Sequence, residues 1–318
     1  MPLSRKVRAF LAVSAALTRV GVLPDARRAA ALPLHKRLSL RPPSWAVDPW
    51  PDGITTEDDV VGDLRLRFYT PLGANGSAVL WIHGGGWSVG GLAGTDHICA
   101  TVAAETGAVL VAVEYRLAPQ YGFPAALDDC WTALTRIRES AAARGLDVAR
   151  VGIAGDSAGG GLAAGLALRC RDEGVPVAAQ VLIYPALDST RSTPAARTYP
   201  GPGLTAGDLG VCWELYAGDL PDDSRYLSPL LEPDLSGLPP TLVVTAYYDP
   251  LRDEGPAYAG RLLEAGVRAE LKEFPDYLHG FLSIPRLYQG VDAAWAVISA
   301  FLRAELVPTA GAGSAREP

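Results

Sequence analysis

At 318 residues the chain can bury a large core as one big domain or two small ones, and 49% hydrophobic with 20% charged residues suits a soluble fold and not a disordered one. A net charge of −7 disfavours phosphate backbones and anionic membranes as partners, so nucleic acid is not an expected ligand. The four cysteines form no C-x-x-C pair and the four histidines no H-E-x-x-H, so reduced core cysteines are expected and a metal site is not.

The chain begins with a basic stretch at 4–8 and an apolar one at 9–17, roughly the layout of a secretory signal. Val7, Phe10, Leu11, Leu17 and Val20 also fall near helical spacing, with Ser14 and Thr18 interrupting the apolar run. An amphipathic helix is therefore expected ahead of a signal peptide, and the cytoplasm ahead of secretion. No segment reaches the roughly 18 apolar residues that a membrane-spanning helix needs.

Runs rich in Val, Leu and Ile at 78–82, 109–114, 151–154, 179–184, 242–246 and 269–274 read as strands. Helical patterns at 95–106, 124–143, 158–171, 253–265 and 291–305 alternate with most of them. That alternation predicts an α/β fold with a mainly parallel sheet covered on both faces. Two stretches break the rhythm, residues 1–48 and the Pro-, Ser- and Thr-rich 188–218, which ends in a short helix near 209–216. Both are expected to form a cap over a core made of 49–187 and 219–306, and the tail 307–318 is expected to be disordered.

The strand at 151–154 runs into Gly155-Asp156-Ser157-Ala158-Gly159, and a helical pattern follows at once. G-x-S-x-G in a strand, sharp turn, helix context is the nucleophile elbow, which lifts a serine hydroxyl above the sheet. Gly159, Gly160, Gly161 and Ala164 also fit G-x-G-x-x-A, with Asp188 in the place of a ribose-binding acid. That dinucleotide reading fails on placement, because Gly159 lies inside the helix and not directly after the strand. Upstream, the strand at 78–82 is followed by His83-Gly84-Gly85-Gly86-Trp87, the pattern that offers backbone amides to a developing oxyanion. Gly85, Gly86 and Ala158 are the expected donors.

Elbow enzymes carry their acid and then their base after the serine. His279 is the only histidine downstream of Ser157, and the loop after 242–246 offers Asp249 and Asp253. Asp249 lies directly past the strand end and is the expected acid. Asp253 opens the next helix and is expected to cap it.

The motifs HGGGW, EYRLAP, GDSAGG, YLSPL, DPLRDEG and HGF, in this order over residues 78–282, resemble the bacterial hormone-sensitive-lipase family of esterases. The resemblance implies an α/β-hydrolase core, a helical cap, no cofactor, and hydrolysis of carboxylic esters by Ser157, Asp249 and His279, with short-chain acyl esters the expected substrates. It also implies that Trp87 faces the acyl pocket. The chain departs from the family pattern at Pro119-Gln120, Gly161 and Tyr247, none of them a triad position. A small-molecule ester is the expected partner, and a homodimer is left open. A non-catalytic binding module on the same fold and amide or lactone hydrolysis remain as alternatives, and His279 standing in its motif favours an enzyme.

Overall fold

The computed structural model describes residues 3–19, 24–218 and 224–306, so the 307–318 tail lies outside the described residues. Three helices come first: α1 (Arg5–Arg19), α2 (Ala26–Ala30) and α3 (Leu34–Leu38). An antiparallel hairpin follows, β1 (Ile54–Val61) and β2 (Leu64–Pro71). Then strands and helices alternate: β3 (Ala78–Ile82), α4 (Leu92–Thr106), β4 (Val109–Glu114), α5 (Ala125–Ser140), β5 (Val151–Asp156), α6 (Ala158–Asp172) and β6 (Gln180–Ile183). After β6 the chain leaves the sheet for α7 (Pro194–Thr198) and α8 (Ala206–Ala217), and returns for β7 (Thr241–Tyr248), α9 (Glu254–Glu264), β8 (Ala269–Leu278) and α10 (Asp292–Leu306).

Among the described residues the strands form one eight-stranded sheet in the order β1-β2-β4-β3-β5-β6-β7-β8. β2 pairs antiparallel with both neighbours, and every pairing from β4 through β8 is parallel. The strand side-chain period of two sorts the central strands between two cores. Ala78, Leu80 and Ile82 of β3 join the core under α5, α6 and α9, whereas Val79 and Trp81 join the one under α1, α4 and α10. A strand buried on both faces has no polar alternation to show, which is why the expected strands read as unbroken apolar runs.

The hairpin was not expected. β1 is the sheet edge, and its Thr55, Thr56, Glu57 and Asp58 are exposed. Arg67 pairs with Asp58 at 2.6 Å, Arg136 with Asp59 at 2.8 Å, and Arg144 with Glu57 at 2.8 Å. β2 does carry a strand signal, since Leu64, Leu66 and Phe68 point inward between Arg65 and Arg67.

The segment expected as an insertion holds two helices instead of one. α8 starts earlier than expected because Thr205 and Asp208 form a capping box, each side chain accepting the other residue's amide at 3.1 Å. Arg27 of α2 makes a bidentate pair with Glu214 of α8, its shorter bond 2.7 Å, which joins the N-terminal region to this segment.

Candidate active site

Four strands deliver the site from their carboxyl ends, the edge at which parallel sheets present ligand sites. β5 ends at Asp156 and α6 begins at Ala158, so Ser157 alone makes the turn, with φ +56° and ψ −121°. This positive φ is strained for a non-glycine residue. The turn closes because Gly159 has no side chain: a Cβ there would run into the carbonyl oxygen of Ile82. Gly159–Gly161 therefore serve packing inside α6. Asp188 is spent on its own loop, accepting from the amide and hydroxyl of both Thr190 and Ser192.

The Ser157 Oγ lies 2.7 Å from His279 Nε2, and His279 Nδ1 lies 2.8 Å from Asp249 Oδ2. β7 runs to Tyr248 and β8 to Leu278, so Asp249 and His279 are each the first residue past a strand. Asp249 is fully buried, and its other oxygen accepts the Leu251 amide at 2.8 Å. The imidazole is thereby offered an acceptor at Nδ1, which leaves Nε2 facing the hydroxyl. Tyr184 packs beside it, ring centroids 4.8 Å apart, a neighbour that no motif announced.

The loop after β3 approaches the same point. Gly84 donates its amide to Asp156 Oδ1 at 3.1 Å, which ties this loop to the elbow. Gly85 (φ +115°) and Gly86 (φ +56°) adopt left-handed backbone that suits glycine. Among the described residues the amides of Gly85, Gly86 and Ala158 donate to no protein acceptor, as donors reserved for an oxyanion would. His83 is buried and stacked on Tyr115 at 4.1 Å, and burial lowers its pKa to about 4, so it stays neutral.

Two further acids sit underneath. Burial pushes Asp156 up to about 6 against the pull of the Gly84 amide. Burial raises Glu254 well above the carboxylate range, with Asp188 and Asp249 nearby adding to the effect.

A cavity of about 470 Å³ opens over Ser157, lined by Gly84–Gly86, Ala158, Ala186, Leu209, Cys212, Leu251 and His279, with Ala26, Ala29 and 40–42 from the N-terminal region. Trp87 is among its lining residues, yet only 2% exposed, stacked on Tyr216 at 4.6 Å and packed against Trp213 at 4.2 Å. All four cysteines are free, and Cys212 differs from the rest in facing the cavity, its thiol pushed up to about 11 by burial. Among the described residues no group of three or more His, Cys, Asp or Glu could hold a metal ion, and no helix is long and apolar enough to cross a membrane.

The expectation for Asp253 needs correcting. It stands at the N-cap position of α9, but its side chain makes no bond to that helix. Its Oδ2 accepts the Ala195 amide at 2.9 Å and so caps the first turn of α7. Sequence reasoning also missed Arg37, a fully buried arginine whose guanidinium donates to Ser88 O at 2.9 Å, to Ala118 O at 2.6 Å and to Gln120.

A serine on a strained elbow, hydrogen-bonded to a histidine and through it to a buried aspartate, beside free glycine amides, defines the class of α/β hydrolases. The chain belongs to that family, whose alpha/beta hydrolase fold profile matches residues 79–283. It is 40% identical over 234 residues to Carboxylesterase NlhH of Mycobacterium tuberculosis, covering 71% of this chain and 73% of the relative. It is 37% identical over 230 residues to Arylesterase of Saccharolobus solfataricus, covering 70% and 74%. Among solved structures it resembles a bacterial heroin esterase, with TM-score 0.77, 39% identity and 83% and 88% of the two chains covered. A hyperthermophilic esterase of the archaeon Pyrobaculum calidifontis matches with TM-score 0.80 at 36% identity over 96% and 99%.

Proposed function

We propose that this protein is a carboxylesterase that hydrolyses short-chain esters through an acyl-enzyme on Ser157, with His279 as base and Asp249 as its orienting acid. The observation that carries the reading is the unbroken chain of contacts from Ser157 Oγ through His279 to Asp249, at 2.7 and 2.8 Å. The names of its relatives, carboxylesterase and arylesterase, support the substrate class.

His279 Nε2 takes the hydroxyl proton as Ser157 Oγ bonds to the ester carbonyl carbon. The carbonyl π electrons move onto oxygen, and the Gly85, Gly86 and Ala158 amides receive the resulting anion. One such donor is worth roughly 3 to 4 kcal/mol. Collapse re-forms the carbonyl and breaks the bond to the alkoxy group, which leaves as the alcohol with the proton from His279. A water then repeats the sequence on the acyl-enzyme, and the free acid departs. A cavity of about 470 Å³ suits small acyl groups. Residues 1–48 and 188–218 act as its cap, and the Arg27–Glu214 pair joins the two parts.

Purified protein is expected to hydrolyse short-chain aryl esters at a rate that EDTA leaves unchanged. Ser157→Ala should abolish turnover while keeping the fold, and mass spectrometry should find the wild-type acyl adduct on Ser157. Substantial turnover by the variant would move the nucleophile elsewhere, zinc-restorable activity after EDTA would count against the mechanism, and ester binding without turnover would favour the binding-module reading.

A further inference from the structure

The net charge of the whole chain hides a segregation. Residues 1–41 carry nine Lys or Arg and a single Asp, whereas the chain as a whole has 28 basic and 35 acidic side chains. The remainder therefore holds 19 basic residues against 34 acidic ones. An average of −7 counts against an anionic partner only where the charge is evenly spread.

Helix α1 carries the start of this basic region. Its inward side is fixed, because Leu3 just before the helix and Val7 are buried in one of the two cores, with Phe10 and Leu11 packed against them. The outward side begins with Arg5, Lys6 and Arg8, all exposed, and among the described residues none has an ion-pair partner. It continues with Ala9, Ala12, Val13, Ala15 and Ala16, all exposed, Val13 at 58%. A helix face turned to water normally carries charged residues along its length, and over residues 5–18 this one does so only in its first turns. Trp45 stands beside it, its ring against Phe10 with centroids 6.5 Å apart, and is 56% exposed.

We propose that the outward face of α1, together with Trp45, docks onto an anionic lipid bilayer. The basic side chains match the headgroup charge, and the small apolar residues with the adjacent indole match the boundary between headgroups and acyl chains. Duplex DNA fits less well, since the exposed Ala and Val positions give phosphates and base edges nothing to bond. The inference is independent of the esterase reading. It has a consequence for access, because α2 and residues 40–42, the next parts of the same region, line the cavity over Ser157.

The test is co-sedimentation of the full chain with vesicles containing phosphatidylglycerol and with vesicles of phosphatidylcholine alone. Retention is expected on the first and not the second, with release at high salt. The triple variant Arg5→Glu, Lys6→Glu, Arg8→Glu should bind at least about tenfold more weakly. Acidic residues suit the start of a helix, so this variant should fold, with an unchanged circular dichroism spectrum as the control. Trp45→Ala should weaken retention without altering charge. Equal retention on both vesicle types, none on either, or binding indifferent to the charge reversal would overturn the proposal. So would capture of duplex DNA instead of vesicles, or self-association through α1 that the reversal disrupts.

Discussion

Asp249 and Asp253 share one motif and meet different partners. Asp249 reaches the imidazole at 2.8 Å, so Asp249→Asn, which keeps the shape but favours the wrong tautomer, should lower kcat steeply. The equivalent change in the serine protease that serves as reference cost about 10⁴. Asp253 reaches the Ala195 amide, and Asp253→Ala should cost about 1 kcal/mol of stability with kcat nearly kept. Steady-state kinetics beside thermal unfolding decides, and the opposite pattern would exchange their roles. Asp156 gives a pH dependence. Its pKa rises from an ordinary value near 3.9 to about 6 on folding, so its contribution to stability is intact below about pH 4, is lost as pH rises to about 6, and is constant above. At 1.36 kcal/mol per pH unit the loss is about 3 kcal/mol, and Asp156→Asn should remove it. A variant whose stability still falls between pH 4 and pH 6 as wild type does would exclude Asp156 as the source. Ser157, Asp249 and His279 were legible because each directly follows a strand end with a recognisable neighbour. Arg37, Tyr184 and Cys212 were not, because a contact across 51 residues, such as that of Arg37 with Ser88, leaves no local pattern.

At the scale of elements, α3 matters through Arg37, which holds the backbone next to the triple glycine. Burial lowers its pKa, and among the described residues no carboxylate offsets its charge, the side chain it donates to, Gln120, being neutral. Gln120 is exposed, so a carboxylate there would stay partly hydrated while pairing with a cation already desolvated. Gln120→Glu is expected to stabilise by about 1 kcal/mol, or roughly 2 to 4 °C in Tm, and an unchanged or lowered Tm would show that the carbonyls of Ser88 and Ala118 already satisfy the guanidinium. Elements buried on both faces were read within a few residues of their observed ends. The β1–β2 hairpin and α7 escaped, the first because β1 is a charged edge with no inward face to mark it, the second because five residues held by a distant aspartate lack a periodicity of their own.

Across the whole molecule, the catalytic frame and the cover over it rely on different stretches of chain. Deleting residues 1–40 removes α1 to α3, the Arg37 contacts, and the lining supplied by Ala26 and Ala29. KM for the aryl ester should rise at least about tenfold, because the cavity loses its exclusion of water. Wild-type KM and kcat in the truncated protein would show that these residues take no part in substrate handling. The hairpin at the other end of the sheet has a consequence for solubility. An open sheet edge invites pairing with a strand from another molecule, and crowded or partly unfolded protein aggregates by that route. Along β1 such a strand would have to settle against Glu57, Asp58 and Asp59, whose counter-charges Arg67, Arg136 and Arg144 all belong to this same chain. The residues that made β1 unreadable as a strand are the ones that keep other chains from extending the sheet there.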